Sequence, residues 1–396
     1  MGGPGASRRP RPVYDDAKGV AVRLFHRCIY PLLAVLVMST PAVASDGSDA
    51  VAPEHAMTTD VTPEREVVDS PVPVVQGGRL AMSSPSGPVE MPIALSRDWT
   101  RPQADVTRAI VVIPGWPRRD LRSGEHAAQV AGTASEGTLV ITPQFLTGKD
   151  VAAHRLPAGI LRWRQNDWHQ GRPSDDGAAI SSFQVIDEIF RRLADRAILP
   201  NLDTIVLAGH SAGGQFVQRY AAVGHGEAAL GGAPIHVRYV VANPSTYLYF
   251  TDERPDSSGA FVPFDARACP SFDRWNYGLR SGVPAYVAAQ SSVAELEAAY
   301  LRRDVVYLLG THDTLPDADG LDRSCGAEAQ GPTRYARGQA FAAYVRTLDP
   351  HTPHRVLEAR GVGHSSYRIY SSACGLAALF DKAGCGSGGF PAPDGD

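Results

Sequence analysis

Lysine is almost missing. Of the 38 basic residues in this 396-residue chain only Lys18, Lys149 and Lys382 are lysines, and the arginines are scattered rather than gathered into a stripe. With a formal net charge of −4 and no basic patch, the chain is excluded from binders of the phosphate backbone, and no nucleic-acid partner is expected. Long apolar runs are also absent. The apolar stretch Ile29 to Ala44 falls short of the roughly 20 residues a bilayer needs and is broken by Pro31, Ser39, Thr40 and Pro41. No stable membrane span is expected once this stretch is removed. Turn formers are plentiful, with 39 Gly and 31 Pro, while 43% of residues are hydrophobic. That composition excludes disorder throughout and allows a sizeable core in a turn-rich chain.

Arg23 and Arg27 precede the apolar stretch, which ends in Ala42-Val43-Ala44 before Ser45. This is the pattern of a signal peptide over residues 1–44 with an A-x-A cleavage site, so the chain is expected to be secreted or periplasmic. Cleavage would remove six basic and two acidic residues, leaving 32 − 40 = −8. Residues 45–76 are rich in Pro, Val, Asp and Glu without period and read as a disordered leader to a domain over 77–390.

Of five cysteines, Cys28 leaves with the signal peptide and Cys269, Cys325, Cys374 and Cys385 remain. None shows C-x-x-C spacing and no histidine is close, so no metal is expected. An even count in an exported chain implies two disulfides, with three pairings open. The 11-residue separation of Cys374 and Cys385 can close locally, which favours Cys374–Cys385 with Cys269–Cys325.

From residue 109 the punctuation becomes regular. Short β-branched runs at 109–113, 138–142, 204–208, 236–242, 304–309 and 354–359 alternate with helical periods at 180–193 and 334–348. Strands alternating with helices define an α/β chain with a doubly wound, mostly parallel sheet. One stretch, 246–303, is too long for an ordinary crossover. It holds ten aromatics in 58 residues and reads as a cap with an apolar inner face, with Tyr249 and Trp275 as candidate substrate contacts.

Gly209-His210-Ser211-Ala212-Gly213 lies between a strand and a helical stretch. A G-x-S-x-G pentapeptide in that setting is a nucleophile elbow, in which the tight turn lifts the serine above the sheet. On this motif and its setting the chain resembles the α/β-hydrolase fold family over about 79–382. The resemblance implies an acid and then a histidine after the serine, and Asp313 and His364 stand in loops after the carboxyl ends of strands. His364 would take the proton of Ser211 and Asp313 would fix the imidazole tautomer. Asp317 and Asp319 are rival acids on the same loop, and His210 and His312 are neighbours that brace the site.

The resemblance also implies two oxyanion donors. One is the backbone N–H of Ala212, and the other comes from Pro114-Gly115-Trp116-Pro117, where Trp116 is preferred over Gly115 because Pro117 has no N–H. Trp163 and Trp168, in the polar and aromatic stretch 161–168, are either a rim of the site or part of a solvated loop. The expected activity is hydrolysis of a carboxylic ester through an acyl-enzyme on Ser211. The substrate would be a small-molecule or lipid-like ester, and no cofactor is called for. A peptidase or amidase with the same trio, and a non-catalytic binding protein of this fold, are the alternatives.

Overall fold

The computed structural model describes residues 70–288 and 292–386. The signal-peptide segment, residues 45–69 of the leader and residues 387–390 lie outside the described residues. Eight strands form one sheet in the order β1-β2-β4-β3-β5-β6-β9-β10, with β1 (Arg79–Ser84), β2 (Gly87–Leu95), β3 (Arg108–Ile113), β4 (Thr138–Pro143), β5 (Thr204–His210), β6 (His236–Ala242), β9 (Asp304–Gly310) and β10 (Arg355–Ala359). The first two are antiparallel, as is β2 against β4, and every pairing from β4 to β10 is parallel. A separate hairpin joins β7 (Glu253–Pro255) and β8 (Phe261–Pro263).

Each central strand is apolar on both sides because both faces are covered. Val111, Leu207, Val241 and Tyr307 point into one core, and Val112, Val206, Val240 and Val306 point into the other. The first core is closed by α3 (Ser182–Leu193), α4 (Ala212–Val223), α5 (Val293–Leu301) and α6 (Arg334–Leu348). The second is closed by α1 (Ser123–Ala131), α7 (Ser366–Ser371) and α8 (Ala373–Phe380), while the short α2 (Gly148–Ala153) sits beyond β4. Helix α3 starts where its sequence dictates: Ser181 and Gln184 form a capping box. Phe183, Ile186, Phe190 and Leu193 then share its buried face. Among the described residues no helix is long and apolar enough to cross a membrane.

Two expectations change. The leader is not irregular to its end, because residues 70–76 are held by specific bonds. Val72 is buried and its N–H donates to Asp150 Oδ1 at 2.9 Å, and the Val75 N–H donates to Gln144 Oε1 at 3.0 Å. The 246–303 insertion also turns several of its aromatics inward, away from solvent. Tyr247, Tyr249, Phe250 and Tyr300 are buried in the first core, with Tyr249 5.0 Å from Phe341 and 4.6 Å from Tyr344 of α6, ring to ring.

What holds the insertion down is arginine. The Arg254 guanidinium lies 4.2 Å from the Tyr249 ring centre and donates to the carbonyls of Thr251, Glu253, Phe272 and Tyr277. Arg337 donates to the carbonyls of Gly331, Ser245 and Asp322, and Arg219 donates to the His169 carbonyl and the Thr246 hydroxyl. Irregular backbone in a core leaves carbonyls without ladder partners, and a forked donor satisfies several of them at once.

The cysteines pair as Cys269–Cys325 and Cys374–Cys385, tying the insertion to the loop after β9 and the first turn of α8 to the tail. The closed loops span 56 and 11 residues. On chain entropy these links are worth about 4 and about 3 kcal/mol. Cys374→Ser with Cys385→Ser is therefore expected to lower the unfolding free energy by about 3 kcal/mol in urea titrations and Cys269→Ser with Cys325→Ser by somewhat more, the reverse order being the result that counts against this account.

Candidate active site

The site begins with three backbone approaches that exclude side chains. A Cβ on Gly209 would lie 2.1 Å from the Gly213 carbonyl oxygen, and one on Gly213 would lie 2.2 Å from that of Ile113 at the end of β3. On Gly214 it would lie 2.7 Å from the Ala242 oxygen at the end of β6. Between these glycines the chain must turn from strand to helix in one residue. Ser211 does so at φ 59° and ψ −121°, a conformation an L residue adopts only under constraint. Its N–H donates to the Ala242 carbonyl at 3.0 Å, and its carbonyl accepts from Gln215 N at 3.0 Å, so the strained residue is fixed from both sides.

Asp313 and His364 reach Ser211 from the carboxyl ends of β9 and β10, which lie beyond β6 on the same side of β5. After β9, Thr311 N donates to Ala359 O, His312 N to Val362 O, and Asp313 N to Gly310 O. The first two bonds zip the acid loop to the histidine loop while the third closes the acid loop on itself, and Gly310 allows the closeness: a Cβ there would sit 2.5 Å from the Val362 oxygen. His364 follows β10 just before Ser365, which caps α7.

The result is a continuous hydrogen-bonded chain. His364 Nδ1 is 2.7 Å from Asp313 Oδ2, and His364 Nε2 is 3.0 Å from Ser211 Oγ. With Nδ1–H donating to the carboxylate, Nε2 is the acceptor facing the hydroxyl. Asp313 is buried, whereas His364 keeps 28% of its side chain open to solvent. Asp317 and Asp319 are exposed; only the Asp319 backbone carbonyl is engaged, by Arg334. His210 is buried with its ring centre 4.4 Å from that of His364. Burial, with the nearby His364 and Arg334 charges, pushes its imidazole well below its ordinary pKa, so it remains neutral.

Ala212 is the first residue of α4, so its N–H belongs to the helix's unpaired first turn, and the helix dipole favours a negative charge there. Gly115 brings the second loop against the elbow, since a Cβ on it would lie 3.2 Å from Ser211 Cβ. Among the described residues neither the Ala212 nor the Trp116 N–H is given to a backbone carbonyl in a turn or loop. The Gly115–Arg118 loop is closed by an Arg118 N to Gly115 O bond of 2.7 Å and contains a cis Trp116–Pro117 peptide.

Behind this loop lies a buried ion pair that no local sequence pattern announces. Arg118 bonds Asp150, which also accepts from Thr147 N and Thr147 Oγ1. Burial alone would raise the Asp150 carboxyl, but the bonds from Arg118, Thr147 and Val72 outweigh it and hold it below the usual carboxylate range.

The four expected pocket residues do not come together. Tyr249 is fully enclosed and Trp275 nearly so, with its Nε1 donating to the Gln170 carbonyl, and neither faces Ser211 from an open wall. Trp168 is fully buried, stacked 5.3 Å from Phe145, and supports Trp116 edge-on at 6.2 Å. Trp163 alone lines open space. A cavity of about 300 Å³ runs beside the Trp116 loop, floored by Trp116 and Trp163 and rimmed by Lys149, Arg164, Gln165 and Asp175. Among the described residues no group of His, Cys, Asp and Glu is arranged to hold a metal ion.

This sheet, elbow and strand-end arrangement is that of an α/β-hydrolase-fold protein. Among solved structures the chain is similar to poly(aspartic acid) hydrolase-1 from Sphingomonas sp. KT-1, at 22% identity and a TM-score of 0.50 over 77% of this chain and 99% of that one. It is also similar to a poly(3-hydroxybutyrate) depolymerase from Bordetella parapertussis, at 19% identity and a TM-score of 0.50 over 77% and 91%. No protein-family model and no curated protein matches the chain.

If the hydrogen-bonded chain is the reacting machinery, Ser211→Ala and His364→Ala each remove nearly all turnover, and Asp313→Asn lowers kcat by about 10⁴ through the wrong imidazole tautomer. Steady-state kinetics on the purified variants decide this; a near-normal rate for Asp313→Asn beside a dead Asp317→Asn would move the acid to Asp317.

Proposed function

We propose that the protein is a serine hydrolase that cleaves a carboxylic ester through an acyl-enzyme on Ser211. The observation that carries this reading is the Ser211–His364–Asp313 chain, at 3.0 and 2.7 Å, mounted on a strained elbow. In this scheme His364 Nε2 takes the Ser211 proton as Oγ attacks the carbonyl carbon, and the imidazolium is stabilised by Asp313. The oxyanion receives the N–H groups of Ala212 and Trp116. His364 then returns the proton to the leaving alcohol, and a water activated by the same imidazole releases the acid. That the two similar structures are a poly(aspartic acid) hydrolase and a poly(3-hydroxybutyrate) depolymerase is in keeping with acyl transfer.

The two disulfides support action outside the cytosol, where such links persist. In this reading the substrate extends from Ser211 past Trp116 into the cavity that Trp116 lines, with an aromatic floor and a charged and polar rim. Tyr249 and Trp275 are enclosed in the core and form no apolar wall over a substrate.

A fluorophosphonate probe is expected to label wild-type protein and spare Ser211→Ala; absence of labelling would leave the non-catalytic binding reading. p-Nitrophenyl esters are expected to turn over faster than aminoacyl p-nitroanilides, the opposite order marking an amidase. Complete apolar burial would raise kcat/KM about fourfold per added methylene. With this mixed lining, the series from p-nitrophenyl acetate to octanoate is expected to rise by much less, and a sustained fourfold step would restore an apolar wall.

A further inference from the structure

We propose that Arg334 is a positioning residue that acts through Asp313, supplying the counter-charge that keeps the buried carboxylate ionised. The inference rests on the reading of Ser211, His364 and Asp313 as a triad. Arg334 opens α6 behind the cap residue Thr333, and the next N–H, that of Tyr335, donates to the Asp313 carbonyl at 3.1 Å. The helix start is therefore fastened to the acid's own peptide. The Arg334 Nη1 atom lies 3.7 Å from Asp313 Oδ1, with the two side chains only 1% and 3% exposed. Oδ2 is already committed to His364, so the carboxylate has the imidazole on one oxygen and the guanidinium beside the other.

The remaining bonds of Arg334 make the placement specific. Nη2 donates to the Asp319 carbonyl at 2.9 Å, while Nε and Nη1 are buried with no hydrogen-bond acceptor. Arg219, Arg254 and Arg337 each leave one nitrogen unpartnered and spend the others on loop carbonyls and side chains. Arg334 leaves two, which is a costly way to anchor a loop but a reasonable way to hold a charge next to a carboxylate.

The other titratable and charged groups facing the pair do not take that place: Arg337, one turn along α6 and close enough to Arg334 to oppose its charge, gives its donors to the Gly331, Ser245 and Asp322 carbonyls. His210, from the end of β5, is held neutral by burial, as is the Tyr247 phenol from the insertion, which burial raises well above its ordinary value. The Asp319 carboxylate is exposed and of the same sign as Asp313. His312 precedes Asp313 on its loop and is itself exposed. Among the described residues the ion pairs made by Asp313 are those with His364 and Arg334.

Removing the guanidinium has two effects of one sign. The buried Asp313 carboxylate loses the cation beside Oδ1, and the imidazole bonded to Oδ2 then faces that carboxylate without the opposing guanidinium. Both deplete the active form, with neutral His364 over ionised Asp313, from the acid side. The test is the pH profile of kcat/KM on p-nitrophenyl acetate, with the pH profile of fluorophosphonate labelling, for wild type, Arg334→Met and Arg334→Lys, folding being checked by near-ultraviolet circular dichroism. Arg334→Met is expected to move the acid limb up by about one pH unit, and Arg334→Lys, which keeps the charge, to leave it within a few tenths. If Arg334→Met does not fold, Arg334→Gln takes its place. An acid limb unmoved in the neutral variant, or moved equally by lysine, overturns the proposal and makes Arg334 a loop anchor. A wild-type protein that neither labels nor turns over ester overturns the triad reading itself, and this inference with it.

Discussion

At Gly213 the helix behind Ser211 passes so close to the end of β3 that the Ile113 oxygen occupies the space a side chain would need. That contact sets the height of α4 above the sheet and hence the strain at Ser211. It also sets the gap into which the Gly115–Trp116 loop brings its N–H groups. Gly209 and Gly214 repeat the approach toward the helix and toward β6, so the elbow is clamped between three strands rather than resting on one. Because the sheet is parallel there, the loops after β9 and β10 emerge on the same edge, and the acid and the histidine arrive without long excursions.

The scarcity of lysine has a structural counterpart. Four arginines, Arg219, Arg254, Arg334 and Arg337, are among the largest fully buried side chains. They stand where irregular chain passes through the core, at the insertion after β6 and the loop after β9. A planar fork with five donors can bridge carbonyls from separate segments, and its weak hydration makes burial less costly than for an ammonium. The chain thus gives its long insertion the rigidity of a core by polar cross-bracing, with Cys269–Cys325 as the covalent addition.

Much of this was legible in the sequence for a physical reason. Parallel strands covered on both faces read as uninterrupted β-branched runs, and the six at 109–113 through 354–359 fall on β3, β4, β5, β6, β9 and β10 within two residues at either end. The elbow and the two later loops were visible because glycine spacing and strand-end position are local properties. The antiparallel β1–β2 pair was not seen: Pro88, Pro92 and the half-exposed faces blur its alternation. Helix α1 was missed because its short Ala and Gly side chains give little amphipathic contrast. The aromatics of 246–303 misled because aromatic density marks burial without saying in what; here Phe341 and Tyr344 of α6 cover them, a long-range pairing no local pattern encodes. Arg334 likewise carried no signal, since its partner lies 21 residues upstream on another element.

Asp150 gives the domain a border that composition does not. It accepts Val72 on one oxygen and Arg118 on the other, so a residue of the N-terminal segment and the loop beside Ser211 share one carboxylate. A polypeptide begun at Gly77, just after the compositional leader, would carry every described strand and the whole Ser211–His364–Asp313 chain. It would nevertheless leave Oδ1 of a sealed anion without its donor and the Gln144 amide without the partners it finds at Pro73 and Val75. The folded unit therefore includes Val72, Pro73 and Val75, and the segment that resembled a tether is a fitted part of the wall behind the Gly115–Trp116 loop.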